Sequence, residues 1–431
     1  MRGDCERVHF TLRCPIAVLG DGVSGRSAAR LARSLGAEVE IYDEAGLPFG
    51  PRDADQAKVV VSSPGFRKNH PWLDLAKEAG CAVVGELDFA SAAWRGEIIG
   101  VTGSNGKTTS TDFLTKVLQA ANIEAVATGN IGYPLSAAVL EHDSPNAVAV
   151  CEVSSFQAES LNLLRPSSVL WTSFSEDHLD RHSDLPEYFE AKANLARRVA
   201  INRLYLGEGV SEAAASLGRP YLKGFQWKRK GENSGKGIPN DSPFRLGPQR
   251  GNYYLVRAFC RENGLPDSLV ERVACDFSMP EHRFSQPIKV GGVSFWNDSK
   301  ATNFGAAFAA CRHFSEKAIW IGGGQSKGGD LAAFCNRMKD VIKGAYLIGA
   351  SAPAMHRHFH GTGTSARVFS SLRDAVKAAF GEAGQKANVL FSPGFSSFDQ
   401  FTSYQDRGKC FERAVLDLKK PGEPLNRPTM A

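Results

Sequence analysis

The chain has 431 residues, of which 42% are hydrophobic and 23% charged, with a formal net charge of +5. That length exceeds one ordinary hydrophobic core and predicts two or three domains; the composition excludes a disordered chain, and the mild, unclustered basicity argues against nucleic-acid binding while suiting an enzyme of anionic substrates. Nine cysteines without a C-x-x-C pair read as reduced thiols of a cytoplasmic protein rather than a disulfide frame or zinc site, and no apolar run reaches membrane-spanning length.

Short apolar runs alternate with helical stretches, the pattern of parallel sheets. The first block opens with a strand over 16–19, the turn Gly20-Asp21-Gly22-Val23-Ser24-Gly25, and a helix through Ala28, Leu31, Ala32 and Leu35. A strand over 39–42 ends at Asp43, and one over 59–61 runs into Ser62-Ser63-Pro64-Gly65, before the block closes near Trp94-Arg95. Gly20-x-Gly22-x-x-Gly25 with Asp43 resembles a dinucleotide fingerprint. It also suits a tight strand–helix turn without a ligand, or a holder for the diphosphate or uridine of a UDP-linked substrate.

The second block begins with the strand Ile98-Ile99, which feeds Gly100-Val101-Thr102-Gly103-Ser104-Asn105-Gly106-Lys107-Thr108-Thr109-Ser110. Glycines let backbone N–H groups turn around phosphate oxygens, and the helix that follows offers its N-terminus to the same charge. Lys107 would neutralise the β- and γ-phosphates of ATP and the Thr108 hydroxyl would ligate Mg²⁺. Val101 stands where the strict pattern has its first glycine. Further strands are expected over 147–151 and 169–173. Glu152 directly follows the first of these, as a metal ligand or as a helix N-terminal acid. Ser175-Glu176-Asp177-His178-Leu179-Asp180-Arg181-His182 follows the second, and His178 would ligate a metal or position a phosphate. The next helix has Pro186 in its first turn and Ser183 or Asp184 as cap. Its apolar stripe takes in Leu185, Tyr188, Phe189, Leu195, Ala196 and Val199, and Lys192 falls inside that stripe. A lysine on a buried face is costly unless paired or modified; the alternative is a side chain that snorkels to solvent. Residues 224–250 read as surface loops or a ragged hairpin.

The third block starts near Pro280. A β-hairpin is expected from Ile288-Lys289-Val290, Gly291-Gly292 and Val293-Ser294-Phe295-Trp296, then strands over 317–321, 344–348 and 387–391. Three loops, 297–303, 322–330 and 392–401, follow strands, where α/β sheets bind ligands.

Taken in order, these motifs resemble the Mur ligases over nearly the whole chain. The most specific segments are Thr-Gly-Ser-Asn-Gly-Lys-Thr at 102–108, Gly-Asn-Ile-Gly at 129–132, those around Glu152 and His178, Asn-Asp-Ser-Lys-Ala-Thr-Asn at 297–303, and Ser-Phe-Asp-Gln-Phe at 397–401. The resemblance implies an α/β fold of three domains. An N-terminal Rossmann-like domain over 1–95 would bind the UDP substrate. A central P-loop ATPase-type domain with a mostly parallel sheet over 96–279 would bind ATP. A C-terminal Rossmann-like domain over 280–431 would bind the amino acid and close. It implies an ATP-dependent amide ligase that adds D-glutamate to UDP-N-acetylmuramoyl-L-alanine through an acyl phosphate, in peptidoglycan precursor synthesis.

Site roles follow from the same resemblance. Val23, Ser24, Asp43, Ser63 and Gly65 would line the uridine-diphosphate pocket, with Asn130 on the sugar side. Gly103, Ser104, Asn105, Gly106, Lys107, Thr108 and Thr109 would cradle ATP, with Asn252, Arg283, Asp298 and Lys300 around it. Thr108 and Glu152 would hold one Mg²⁺, and His178 and a carbamylated Lys192 a second. Lys327, Ser397, Phe398 and Tyr404 would face D-glutamate. Lys107, His178, Lys192 and Lys327 would be catalytic. The implied partners are the three small-molecule substrates, for a monomer with neither nucleic acid nor membrane. Two departures stand out. The family's His-Asn-x-x-Asn segment is matched by Gly251-Asn252-Tyr253-Tyr254-Leu255, which keeps one asparagine, and Gln325 stands where aspartate is common. The alternatives are an L-alanine-adding member, which typically has one more glycine in the first loop; a non-catalytic nucleotide-binding regulator, expected to lose one of Lys107, Glu152, His178 or Lys192; and a NAD oxidoreductase, which leaves the Lys107 loop unexplained.

Overall fold

The structure, a computed structural model, describes residues 14–142, 144–219, 222, 224–226, 237–284 and 286–419. Three sheets follow one another along the chain. The first is built from β1 (Ile16–Leu19), α1 (Val23–Ser34), β2 (Val39–Tyr42), α2 (Pro51–Gln56), β3 (Val59–Ser62), α3 (Pro71–Glu78), β4 (Ala82–Gly85) and α4 (Glu86–Ala93). Its strands are all parallel in the order β2-β1-β3-β4. The chain leaves β1 to one side and returns to the other, so a crevice opens between the loops that follow β1 and β3.

The second sheet comprises β5 (Glu97–Thr102), α5 (Lys107–Ala120), β6 (Ala125–Gly129), α6 (Leu135–Glu141), β7 (Val148–Glu152), α7 (Ser155–Ala158), β8 (Ser168–Ser173), α8 (Leu185–Ala196), β9 (Leu204–Glu208), α9 (Val210–Ser216) and β10 (Phe225–Gln226), followed by α10 (Arg250–Glu262) and α11 (Asp267–Cys275). The order is β10-β9-β8-β5-β7-β6, again all parallel. With β5 between β7 and β8, the loop after β5 lies beside the ends of both neighbours. The helix after Pro186 stops at Ala196, before Val199. The expectation of surface loops over 224–250 is corrected where the chain is described: Phe225–Gln226 pairs with β9, and Phe244 is fully buried against Tyr253 and Phe277. Residues 227–236 of that expectation lie outside the described residues.

The third sheet comprises β11 (Ile288–Val290), β12 (Val293–Asn297), α12 (Phe304–Cys311), β13 (Ala318–Gly322), α13 (Leu331–Met338), β14 (Ile342–Leu347), α14 (Ala352–His360), β15 (Ala366–Val368), α15 (Leu372–Glu382), β16 (Asn388–Phe391) and α16 (Tyr404–Leu416). Its order is β11-β12-β16-β13-β14-β15, with only β11 antiparallel. The β11–β12 hairpin turns through Gly291 and Gly292 at φ +56° and +80°, the two positive angles that a tight two-residue hairpin needs. Apolar clusters cover both faces, one around Trp320, Phe334 and Met355, the other around Ile321, Phe391 and Phe411.

By compactness the chain forms two units. Among the described residues, one holds the first two sheets (within 14–174, 186–226 and 254–273) and the other holds the third sheet with 175–185 and 237–253. Within the first unit a single core joins both sheets: Ile16, Val18, Ala28 and Leu31 share it with Leu135, Ala138, Ala149 and Trp171. Two carboxylates in the first turn of α4 tie the sheets further. Glu86 accepts from the Ser136 amide at 2.8 Å, and its hydroxyl also donates to Glu86. Fully buried Asp88 accepts from the amides of Asn162 and Leu164 at 2.5 and 2.9 Å. Asp88→Ala strands both of those amides, a loss of a few kcal/mol. It is expected to lower the thermal midpoint by about 5 °C or more; a midpoint equal to wild type in a melting experiment would show that the tie contributes nothing.

Candidate active site

The loop after β5 is shaped by two glycines. Gly103 lies at φ +147° and Gly106 at +88°. A Cβ on Gly103 would sit 2.1 Å from Thr172 Oγ1, so no other residue fits there. Val101 is a fully buried strand residue of β5, which explains why the expected glycine is absent: the turn starts two residues later. β8 pins the loop, with the Ser104 amide donating to Ser173 O at 2.9 Å and the Asn105 amide to Ser173 Oγ at 3.0 Å. Ser104 Oγ lies 3.0 Å from Tyr188 Oη. Lys107 and Thr108 open α5, while the Thr109 side chain is buried, so Thr109 offers a first-turn N–H rather than its hydroxyl.

Lys107 Nζ curls back to donate to Gly103 O at 2.7 Å and Ser104 O at 3.1 Å. Lys192 Nζ, from α8, donates to the same Gly103 O at 2.9 Å and lies 4.7 Å from the Tyr188 ring centroid. Lys192 is 1% exposed, so it does not snorkel: the apolar stripe carries it inward to the phosphate loop. Beside it, Thr108 Oγ1 donates to Glu152 Oε2 at 2.7 Å, and Asn130 Nδ2 to Glu152 Oε1 at 3.0 Å. Glu152 is 2% exposed, and both of these partners are neutral. A buried carboxylate next to a hydroxyl, at the mouth of a phosphate loop, is a hard-oxygen donor set that suits Mg²⁺. Among the described residues no group of three His, Cys, Asp or Glu side chains gathers as a closed metal cage, so such an ion would also rely on phosphate and water oxygens.

The residues expected to take the uridine diphosphate cluster at the ends of β1, β2 and β3. Val23, the first residue of α1, is 65% exposed. Asp43 accepts from the amides of Asp21 and Ala45 at 2.8 and 3.0 Å, and these bonds hold its carboxyl below the usual range. A Cβ on Gly25 would meet Gly20 O at 1.8 Å, and one on Gly20 would meet Ser63 Oγ at 2.7 Å. The glycines thus let the first loop close down on Ser63, whose buried Oγ has no hydrogen-bond partner among the described residues. Ser24 and Gly65 lie on the same loops. A cavity of about 360 Å³ runs from Ser63 past Lys68 and Lys77 to Gln157, Asn194 and Arg198.

The second unit gathers the remaining residues at the ends of β12, β16 and β13, adjacent strands far apart in sequence. Lys327 Nζ pairs with buried Asp177 at 3.2 Å and approaches Thr302 Oγ1 at 3.4 Å, while Asn303 Nδ2 donates to Asp177 Oδ2 at 2.9 Å. His178, at φ +56°, donates its amide to Asp177 Oδ1 at 2.9 Å and sets its ring Nε2 3.6 Å from Asp177 Oδ2. Lys300 Nζ rests 4.2 Å above the Tyr404 ring. Ser397 is buried and Phe398 is 71% exposed. Arg407, 1% exposed, spends its guanidinium on Ser299 Oγ and O and on Phe395 O and Ser396 O, at 2.8 to 3.2 Å. Gln325 exchanges backbone bonds with Ser396. Asn252 donates to Gln249 Oε1 at 3.0 Å, and Gln249 Nε2 donates to Arg283 O at 3.3 Å.

The sequence reading missed Asp177, Asn303, Gln249 and Arg407 as organisers. Asp177 and Asn303 sit inside segments it had singled out, so proximity to His178 and Lys300 was the available signal. Arg407 gave none, because a helix-borne arginine looks like a solvated one until its burial is known.

Asp298, buried and accepting from Ser392 Oγ at 2.8 Å, is pushed up to about 7 by burial, against the opposing pull of that bond and of Arg283 and Arg407. A carboxyl raised in the folded state adds stability that is full below its unfolded value and is lost as pH rises through about 7. The thermal midpoint is therefore expected to fall as pH rises from about 4 to about 7 and to level off above, and Asp298→Asn to flatten that part of the profile. Parallel profiles for the two proteins would remove Asp298 as the cause.

Comparison with known proteins agrees with this geometry. The Mur ligase middle domain matches residues 101–207, and the Mur ligase glutamate ligase domain matches 282–395. A UDP-N-acetylmuramoylalanine--D-glutamate ligase of Synechocystis sp. is 32% identical over 93% of this chain and 99% of its own length. One from Gloeobacter violaceus is 33% identical over 94% and 99%. Among solved structures, UDP-N-acetylmuramate-alanine ligase of Thermotoga maritima shares the fold with a TM-score of 0.57 at 15% identity, covering 94% of this chain and all of that one. With a phosphate loop, a carboxylate and a buried lysine assembled around Gly103, and full-length relatives above 30% identity, the chain belongs to the Mur ligases, ATP-dependent enzymes that form amide bonds.

Proposed function

We propose that the chain joins D-glutamate to UDP-N-acetylmuramoyl-L-alanine, converting ATP to ADP and phosphate, as a cytoplasmic monomer in peptidoglycan precursor synthesis. The observation that carries this reading is the convergence of Lys107 and Lys192 on Gly103 O beside the Thr108–Glu152 pair. The names of the full-length relatives point to the amino acid. The functional domains would be 1–95, 96–279 and 280–431.

In this reading the alanyl carboxylate attacks the γ-phosphorus, ADP leaves, and the amine of D-glutamate attacks the acyl phosphate. The tetrahedral intermediate then expels phosphate. The N–H groups of 103–109 and the Lys107 ammonium neutralise the charge that develops on the transferring phosphoryl oxygens. Val23, Ser24, Asp43, Ser63, Gly65 and Asn130 hold the UDP-sugar, so that binding energy far from the reacting carbonyl positions its carboxylate. Lys327, Ser397, Phe398 and Tyr404 receive D-glutamate, and Asn252, Arg283, Asp298 and Lys300 the nucleotide. Thr108 and Glu152 would hold one Mg²⁺, with His178 and Lys192 as ligands of a second; bound Mg²⁺ supplies charge neutralisation between phosphates. Asp177 beside the His178 ring is the kind of carboxylate partner that orients a metal-binding histidine. Carbamylation would turn the Lys192 amine into an anion with oxygen donors that suit a hard cation.

Two experiments test these assignments. Lys192→Ala is expected to lose activity by about a hundredfold or more, the scale of a lost charge-stabilising group, and to regain part of it with added short carboxylates; a fully active alanine variant would remove the carbamate. Phosphate release with a panel of amino acids is expected to require UDP-N-acetylmuramoyl-L-alanine and D-glutamate together. Equal release with L-alanine and UDP-N-acetylmuramic acid would reassign the enzyme to the L-alanine-adding reaction.

A further inference from the structure

Asn252 stands in the first turn of α10, and the chain enters that helix through one tight turn, Gly247–Gln249. That turn has few means of attachment. Pro248 has no N–H, and the Gln249 amide donates to Leu246 O, within the same stretch, at 2.9 Å. Among the described residues, the Gly247 amide is therefore the one backbone donor of the turn that reaches another element. Its acceptor is a side chain, Nδ1 of His313, at 2.9 Å. The approach is close enough to need a glycine: a Cβ at 247 would come to 3.0 Å from that nitrogen and 3.3 Å from the His313 Cβ.

A backbone amide only donates, so His313 Nδ1 must carry a lone pair and the ring proton must sit on Nε2. The bond therefore exists only while the imidazole is neutral. A second proton would go to Nδ1 and set one N–H against another. The surroundings favour the neutral ring. His313 follows α12 and lies among Phe284, Phe314 and Trp296, with centroids at 5.1, 5.2 and 5.9 Å. Burial there, and after it the charge of Arg250 in α10, hold the ring's proton affinity below the usual histidine value. Residue 284, residue 314 and β12 present aromatic rings to it, and Arg312, its neighbour in the chain, lies toward Phe308. Among the described residues the charge that acts on His313 is thus that of Arg250.

We propose that His313 is a positioning residue with a proton switch: its neutral ring latches the turn that leads into Asn252, and protonation opens the latch and weakens nucleotide binding. The proposal rests on the reading that Asn252 belongs to the nucleotide site. ADP then binds more tightly to the neutral form, and by linkage bound ADP makes the ring harder to protonate. Acidification loosens the nucleotide through a residue that need not touch it.

The test is calorimetric binding of ADP to the full-length wild type, His313→Asn and His313→Leu at about pH 8 and about pH 5, on either side of the histidine range. Thermal midpoints would confirm folding. Asparagine offers an oxygen close to the place of Nδ1 and takes up no proton, whereas leucine offers no acceptor. A loss common to all three proteins belongs to the ADP phosphates and to Asp298. Beyond it, the wild type is expected to lose about fivefold in affinity at the lower pH, the worth of one hydrogen bond. His313→Asn is expected to match wild type at the higher pH and to lack the extra loss, and His313→Leu to be about fivefold weaker at the higher pH. A parallel fall in wild type and the asparagine variant would overturn the proposal. So would a leucine variant that matches wild type at the higher pH, or a folded asparagine variant as weak as the leucine one. The wild type supplies a second measurement that needs no folded variant: in histidine NMR spectra, saturating ADP is expected to lower the pH midpoint of the His313 ring, and an unmoved midpoint would overturn the latch. Asn252→Ala separates the two readings. If it binds ADP as tightly as wild type, the nucleotide reading falls and the proposal with it; if it binds weakly while the tests on His313 fail, only the latch falls.

Discussion

One carbonyl oxygen, that of Gly103, accepts from the amines of both Lys107 and Lys192. Both amines are thereby drawn to the phosphate loop. The rest of the central segment is organised to make that meeting possible. Gly103 must turn through an angle that only glycine adopts readily, because the Thr172 hydroxyl fills the space a side chain would need. The α8 stripe must carry a lysine inward among Tyr188, Phe189 and Leu195. Glu152, held by the Thr108 hydroxyl and the Asn130 amide, provides a carboxylate at the mouth of the same loop.

The C-terminal segment uses buried charge in a different way. Asp177 gathers Lys327, Asn303 and the His178 amide, fixing the orientation of groups from three stretches of chain. Arg407 spends its donors on carbonyls and a hydroxyl instead of an acid, joining the loop after β12 to the loop after β16. Burial lowers the affinity of its guanidinium for a proton, to about 10, with Asp399 and Asp298 opposing that shift. Removing either residue would leave buried groups unsatisfied, a larger loss than the bonds themselves.

Much of this was legible before the structure. The bounds of β1 and β2 follow from apolar runs stopped by glycine or aspartate, and the phosphate loop from its glycines and lysine. Lys192 was visible as an anomaly in a helical stripe. What was not legible is contact at long range. Lys327 and Asp177 are 150 residues apart, and no local pattern links them. Gln249 was overlooked because a partner for Asn252 was sought three residues after it, at Leu255, whereas the amide it bonds lies three residues before it. The loop assigned to 224–250 hides a packed aromatic, Phe244, because polar neighbours dilute its signal. The joint between the first two sheets was equally hidden: Glu86 and Asp88 look like ordinary acids in a helix's first turn until the amides they accept from, 50 to 76 residues onward, are known.

That joint has a consequence for selectivity. Because one core and two buried carboxylates fasten the first sheet to the second, the loops around Ser63 and those around Gly103 keep a constant separation. On the proposed assignment of the UDP-sugar to the first sheet, the substrate would be measured against a fixed ruler, and only a linker of the right span would bring its far end to the phosphate loop. Selection by length of this kind needs no contact with the linker itself, so the segment between the two ends is free to vary in chemistry as long as its reach is preserved.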